Sequence, residues 1–336
     1  MKLLVTGGAG FIGSNFVRYF MGRHESTVVT LDALTYAGNL ANLEPVLKNH
    51  RHTFIKGDIC DRAAVDTAMA GVDAVVHFAA ESHVDRSIED AGVFLKTNVG
   101  GTGVLLEAAR RYNIMKFVHV STDEVYGSIG EGYAIESSPL HPNSPYAASK
   151  ASSDLLALSY HATYGLPVVI TRCSNNFGPY QFPEKLIPLF ITNALEDKPL
   201  PIYGDGLYMR DWIYVDDHCG AVEKVLFAGR EGEVYNIGGA KDRTNLSITD
   251  LILQKLGKPQ SLKKNVQDRL GHDRRYAIDS GKIENELGWR PAFAFEEAMD
   301  KTIKWYLANR EWWSAIKSGE YRAYYEKHYA RRLAES

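Results

Sequence analysis

The sequence predicts an α/β fold, a doubly wound parallel sheet with a smaller, discontinuous α/β domain toward the carboxyl end. Two observations carry the prediction. As far as Arg172, short apolar runs rich in β-branched residues recur, each followed by a helical pattern. Strands alternating with helices form a parallel sheet covered on both faces, and strands buried on both sides read as unbroken apolar runs. After Arg172 the texture changes: proline and aromatic residues crowd into Phe177-Gly178-Pro179-Tyr180-Gln181-Phe182-Pro183, and the alternation lapses.

In chain order, the pattern predicts strands over Leu3–Thr6, Thr27–Leu31, Thr53–Lys56, Ala74–Phe78, Lys116–Ser121 and Pro167–Arg172. Helices are predicted over Ile12–Met21, Ala63–Ala70, Val93–Arg111 and Tyr146–Thr163. A later run, Glu233–Ile237 before Gly238-Gly239, is expected to return to the main sheet. The first domain is therefore expected over 1–175 with a returning segment near 212–240, and the second over 176–211 and 241–330. The second should fold over the carboxyl ends of the strands, where open α/β sheets bind ligands.

The 336 residues, 45% hydrophobic and 24% charged, are ordinary for a globular chain able to bury a large core. A net charge of −3 offers no basic field for nucleic acid or anionic lipid, so phosphate must be recognised by placed groups. Cys60, Cys173 and Cys219 are too few and too scattered for a disulfide framework or a metal site. No apolar run approaches the ~18 residues of a membrane span. The chain enters a strand at once, without a signal-peptide pattern, and the cytoplasm is the expected compartment.

The run Val5-Thr6-Gly7-Gly8-Ala9-Gly10-Phe11-Ile12-Gly13 joins the first strand to the first helix, the context a dinucleotide-binding turn requires. Gly7 permits the tight turn, Gly10 lets the backbone approach a pyrophosphate, and Gly13 lets helix and strand pack closely. The helix start, with Phe11 and Ile12, then offers free N–H groups to the phosphates. Asp32 ends the second strand where a carboxylate holds the adenosine ribose diol and repels a 2′-phosphate, so the expected cofactor is NAD, not NADP. Ala33, Leu34 and Thr35 follow it into the pocket, and Asp58-Ile59 is placed to flank the adenine. This is a Rossmann-type site. The spacing Gly-x-x-Gly-x-x-Gly resembles the short-chain dehydrogenase/reductase superfamily. So do Phe78-Ala79-Ala80 at the end of the fourth strand and Thr97 in the following helix, both expected along the dinucleotide.

Tyr146 and Lys150, four residues apart behind Ser144 and Pro145, share one face of a helix. A tyrosine is a poor base near neutrality, but a unit charge at ~4 Å is worth about 4 kcal/mol toward phenolate. Lys150 and an oxidised nicotinamide are the expected sources of that charge. The fifth strand then runs into Thr122-Asp123-Glu124. Strict alternation would point the two carboxylates to opposite faces, so the strand is expected to end at Ser121 and the turn to direct both into the crevice. Hydride chemistry alone needs only the tyrosine and lysine. An elimination also needs a base for a carbon-bound proton and an acid for a departing hydroxyl.

Here the resemblance narrows. Thr122-Asp123-Glu124, Tyr146-x-x-x-Lys150, Ala79-Ala80-Glu81-Ser82-His83-Val84-Asp85-Arg86-Ser87 and the run Asn175–Pro188 together resemble the dTDP-glucose 4,6-dehydratase family over nearly the whole chain. Related epimerases resemble Ser-Ser-x at the triplet. The resemblance implies that Tyr146, helped by Lys150, takes the proton of the sugar 4-hydroxyl while Thr122 holds the 4-oxygen. It implies that Glu124 removes the carbon-5 proton and Asp123 protonates the leaving 6-hydroxyl, with NAD regenerated within each turnover. The charge of Glu124 is expected to raise Asp123 toward the protonated form this needs.

It further implies a nucleotide-sugar pocket. Ser82, Asn175, Lys185 and Leu186 should line one part of it, and Pro201, Ile202, Tyr203 and Arg210 another. Asn245, Arg269, His272 and, at the far end of the chain, Tyr329 complete the set, with Asn176 on the nicotinamide side. Lys185, Arg210 and Arg269 are the cations a diphosphate needs, and Tyr203 could stack on a base. A homodimer through the helices around Val93–Arg111 and Tyr146–Thr163 is the family-based expectation. The rivals are another nucleotide-sugar 4,6-dehydratase, a nucleotide-sugar 4-epimerase, which the acid pair argues against, and a non-catalytic nucleotide-sugar sensor. The sensor would be expected to have lost one of Tyr146, Lys150, Asp123 or Glu124, and all four are present.

Overall fold

The computed structural model describes residues 1–239, 241–319, 325 and 333. Six strands come first: β1 (Lys2–Thr6), β2 (Thr27–Asp32), β3 (His52–Lys56), β4 (Ala74–His77), β5 (Lys116–Thr122) and β6 (Val168–Cys173). β7 (Asn175–Phe177), β8 (Leu200–Tyr203), β9 (Met209–Tyr214), β10 (Val234–Ile237), β11 (Asp242–Thr244) and β12 (Lys263–Val266) follow. The main sheet has seven strands in the order β10-β6-β5-β4-β1-β2-β3, all pairs parallel. β1 lies between β2 and β4, so the strand order reverses there and a crevice opens at the carboxyl ends. The fold is of the expected α/β class.

Each face of the sheet carries a core of its own. Leu3, Val5, Val76, Val118 and Tyr235 pack with Phe16, Phe20 and Val222 on one side. Leu4, Val29, Val75, Phe117 and Ile170 pack with Leu105, Leu106 and Ala157 on the other. A third core gathers Phe177, Phe190, Ile202, Trp212, Ile252, Tyr306 and Trp313, beside the small sheets β11-β9-β7 and β12-β8. No helix among the described residues is long and apolar enough to cross a membrane.

Two differences from the sequence pattern bear on the site. The segment expected as one helix over Val93–Arg111 is divided: Ala91–Phe94 is α-helical, Leu95–Gly101 is a π-helix, and Thr102–Arg111 is α-helical again. Side-chain periodicity does not distinguish a wider turn, which tertiary packing selects. The fifth strand continues to Thr122, one residue further than expected, and passes into a 3₁₀ turn over Asp123–Tyr126.

The helix Pro145–Tyr164 is capped by Ser144, whose hydroxyl accepts from Ala147 N, with Pro145 in its first turn. One turn beyond Lys150, Asp154 fastens it to the sheet. Its carboxylate meets Arg172 Nε of β6 at 2.9 Å and His119 Nε2 of β5 at 3.3 Å, all three side chains being buried.

Candidate active site

The crevice is a single cavity of about 420 Å³ that runs from the glycine turn to the third core. At one end Gly7 has φ +68°, a left-handed conformation that glycine adopts without penalty. A Cβ on Gly7 would come within 2.6 Å of Ala79 N, and one on Gly13 would run into the carbonyl of Gly7. Gly10 caps the helix Phe11–Met21, and Phe11, Ile12 and Gly13 line the cavity at its positive end. Asp32 is buried at the end of β2, its two oxygens accepting from Ala9 N at 2.9 Å and Leu34 N at 2.8 Å. Burial pushes this carboxyl up, and those N–H bonds oppose it. Each oxygen keeps a second lone pair for a diol. Ala33, Thr35, Asp58, Ile59, Phe78, Ala79, Ala80, Ser82 and Thr97 also line this half. Leu34 does not: its backbone has φ 53° and its side chain packs into the core, so only its N–H serves the site. The cradle, its helix start and a buried carboxylate fit a dinucleotide.

At the middle stand Thr122, Asp123, Glu124, Tyr146 and Lys150, all on the cavity wall. Asp123 and Glu124 reach it together because the 3₁₀ turn breaks strand alternation. Thr122 Oγ1 lies 3.3 Å from Asp123 Oδ1 and accepts from Glu124 N at 3.3 Å. Asp123 is buried, and among the described residues its Oδ2 has no hydrogen-bond partner. Burial first, then the charges of Glu124 and Asp211, hold this carboxyl well above the usual range. The direction is the expected one, but desolvation outweighs the neighbour.

The tyrosine stands in a desolvated setting. Burial, followed by the charge of Glu124, raises the Tyr146 phenol well above its ordinary value, against a hydrogen bond with Thr122. The Lys150 ammonium donates to Val120 O at 2.8 Å, and burial lowers its own pKa.

The far half brings together Asn175, Lys185, Leu186, Pro201, Tyr203, Arg210, Asn245, Arg269 and His272. Lys185 donates to Ser82 O at 2.8 Å, and Arg269 faces Asp85 at 3.5 Å. Arg210 donates to Met209 O and Asp273 O, at 2.7 and 2.9 Å, with its guanidinium 4.2 Å from the Tyr276 ring centroid. Tyr203 donates to Asp85 Oδ2 at 3.0 Å. His272 stacks on Tyr208 with centroids 3.6 Å apart, and burial, then Arg269, lowers its pKa to about 4. On the nicotinamide side, Asn176 lines the wall and shares a 2.9 Å hydrogen bond with His218 Nδ1. Ile202 is off the wall: it is 3% exposed and belongs to the third core, because alternation along β8 turns it away from its neighbours Pro201 and Tyr203. Tyr329 lies outside the described residues.

Several wall residues had no signal in the sequence. Tyr276 arrives through pairing of its N–H with Met209 O at 3.2 Å, and its hydroxyl lies between Asp273 and Glu124. Glu184 is buried 3.4 Å from Arg86, whose guanidinium lies 3.8 Å from the Tyr36 ring centroid, tying two turns to the helix Val84–Glu89. Among the described residues, no group of three or more His, Cys, Asp or Glu is placed to hold a metal ion.

The protein-family model described as GDP-mannose 4,6 dehydratase matches residues 4–302. A dTDP-glucose 4,6-dehydratase of Streptomyces niveus is 54% identical over 95% of this chain and 96% of its own. The chain belongs to the dTDP-glucose 4,6-dehydratase family. The crystal structure of DesIV, the dTDP-glucose 4,6-dehydratase of Streptomyces venezuelae, which has NAD bound, is similar to this family member throughout. The TM-score is 0.93, with 56% identity over 94% of this chain and 100% of that one. The UDP-glucose 4-epimerase of Thermotoga maritima, solved with UDP-glucose, is 30% identical with a TM-score of 0.87, covering 92% of this chain and 100% of the epimerase. Dehydratase and epimerase therefore share the fold, and the distinction lies in side chains.

In this dehydratase-family chain, Gly7→Ala is expected to weaken dinucleotide binding about tenfold or more. A left-handed alanine costs roughly 1–2 kcal/mol, and its methyl meets backbone that cannot swing aside. Calorimetric titration with NAD checks this, and wild-type affinity would refute the assignment of the turn.

Proposed function

We propose that this chain is an NAD-dependent hydro-lyase that converts dTDP-glucose to dTDP-4-keto-6-deoxyglucose and water. One observation carries the reading: two carboxyl groups, Asp123 and Glu124, share the cavity wall with Tyr146, and burial raises the more buried of them toward the protonated form. Two-carboxyl chemistry of this kind is what an elimination demands and an epimerisation does not.

When bound, NAD supplies the hydride acceptor for carbon 4 and the donor for carbon 6, and its oxidised ring adds positive charge that favours the Tyr146 phenolate. Tyr146 Oη removes the proton of the 4-hydroxyl, and Thr122 Oγ1 hydrogen-bonds the 4-oxygen. The ketone at carbon 4 makes the carbon-5 proton acidic enough for a carboxylate, so oxidation precedes elimination. Glu124 removes that proton. Asp123 delivers its own to the departing 6-oxygen, which leaves as water. Lys185, Arg210 and Arg269 bind the diphosphate, and Asp32 the adenosine ribose. We further propose the division into a dinucleotide domain over 1–175 with a return near 212–240, and a nucleotide-sugar domain over 176–211 and 241–330. A cytoplasmic homodimer, joined through the helices around Val93–Arg111 and Tyr146–Thr163, completes the proposal. Exposed Val93, Leu95, Leu155 and Tyr164 on these segments support it.

Incubation with dTDP-glucose, followed by alkali and absorbance of the 4-keto-6-deoxy sugar, tests the reading. Formation of dTDP-galactose without that product would replace dehydration by epimerisation.

A further inference from the structure

We propose that Tyr276 is a positioning residue for Glu124, its hydroxyl oxygen serving as the acceptor for the proton that Glu124 holds after taking it from the substrate. The inference rests on the reading of Glu124 as the carbon-5 base. Tyr276 Oη lies 2.8 Å from Asp273 Oδ2 and 3.4 Å from Glu124 Oε2. A phenol has one proton and cannot donate to two carboxylates at once. The shorter contact, to Asp273, claims it.

That choice is fixed from behind. Asn143 Nδ2 donates to Asp273 Oδ1 at 2.6 Å. A carboxylate only accepts, so Asn143 and Tyr276 both donate to Asp273, and the lone pairs of the Tyr276 oxygen are left toward Glu124. An ionised Glu124 meets an acceptor there, and a protonated one meets a partner. The row therefore orients Glu124 once it carries the proton taken from carbon 5. In that step the bond from carbon 5 to hydrogen breaks. The proton goes to Glu124, and the electron pair forms the double bond to carbon 6 as the hydroxyl leaves with the proton of Asp123.

The phenol stays protonated throughout, since burial and then the charge of Glu124 push it well above its ordinary value. Its ring is held independently of its hydroxyl, by the Arg210 guanidinium 4.2 Å from the centroid and the backbone bond to Met209. A phenylalanine keeps both. The other charges acting near Glu124, on Asp123, Lys185, Arg210 and Arg269, are untouched by the variants below.

Two variants in a single turnover of the NAD-loaded protein with dTDP-glucose form the test. Tyr276→Phe removes the acceptor. Asp273→Asn keeps the tyrosine but turns an amide donor toward it, so that the phenol proton swings to Glu124. In both, reduced-nicotinamide absorbance from carbon-4 oxidation is expected to rise at the wild-type rate. Exchange of the carbon-5 hydrogen with solvent deuterium and formation of the 4-keto-6-deoxy product should slow about three- to tenfold, the effect of one neutral hydrogen bond. Elimination at the wild-type rate in either variant, or an equal loss of oxidation, overturns the inference. Wild-type protein that forms no 4-keto-6-deoxy product would remove the function and this inference together, whereas wild-type turnover with unaffected variants removes this inference alone.

Discussion

Glu124→Gln is expected to leave oxidation at sugar carbon 4 intact while slowing elimination by about 10²–10⁴-fold, the usual worth of a positioned general base. The amide fills the same space beside Tyr276 but cannot take a proton. Its second effect runs the other way. The negative charge of Glu124 is one of the causes, after burial, that raise Tyr146 and Asp123. Removing it lowers both. Tyr146 then ionises more readily, so the acid limb of the carbon-4 oxidation profile should move to lower pH. Asp123 becomes less firmly protonated, which compounds the loss of elimination. Rapid-mixing absorbance of the reduced nicotinamide, with product assayed in the same samples, separates the two steps. Full dehydration by this variant would mean that another group is the carbon-5 base. An acid limb shifted upward would mean that Glu124 does not act on Tyr146 as its position requires.

Asp154→Ala should destabilise the fold by about 3–5 kcal/mol near neutral pH, because it strands the buried Arg172 guanidinium. Burial alone would raise the Asp154 carboxyl, but the hydrogen bond from His119 and the charge of Arg172 outweigh it and hold the group below its usual value. A carboxyl depressed in the folded state stabilises the fold above the unfolded pKa of about 4, and that contribution disappears as the pH falls through the folded value. The difference between variant and wild type in urea unfolding should therefore be large near neutrality and shrink in acid. Equal unfolding midpoints at neutral pH would show that the cluster is neutral in the balance. Activity should fall with stability, since this cluster fastens the helix that carries Tyr146 and Lys150.

The glycine turn was legible because its chemistry is local. Positive φ at Gly7, helix start and strand end follow from contiguous residues, and so did the acid pair at the end of β5. The end of β5 was legible to within one residue, at Thr122. What could not be read depended on contacts between distant segments. Ile202 stands between two wall residues, and only the packing of the third core shows which way β8 faces. Tyr276 has no motif of its own, and it reaches Glu124 across 152 residues of sequence through pairing with Met209. Helix spacing places Lys150 on the face of Tyr146 but says nothing of Val120 O, to which the ammonium donates.

By itself, then, the sequence determined the alternation of strands and helices, the dinucleotide turn with Asp32, and the presence of tyrosine, lysine and two adjacent carboxyl groups. These are matters of residue type and short-range order, which the chain carries before it folds. Tertiary structure alone decided that burial outweighs Glu124 in raising Asp123, that Lys150 donates to Val120 O, and that Tyr276 and Asp273 stand behind Glu124. Those are matters of desolvation and of hydrogen-bond polarity, and both arise only when segments far apart in the chain exclude water from one another.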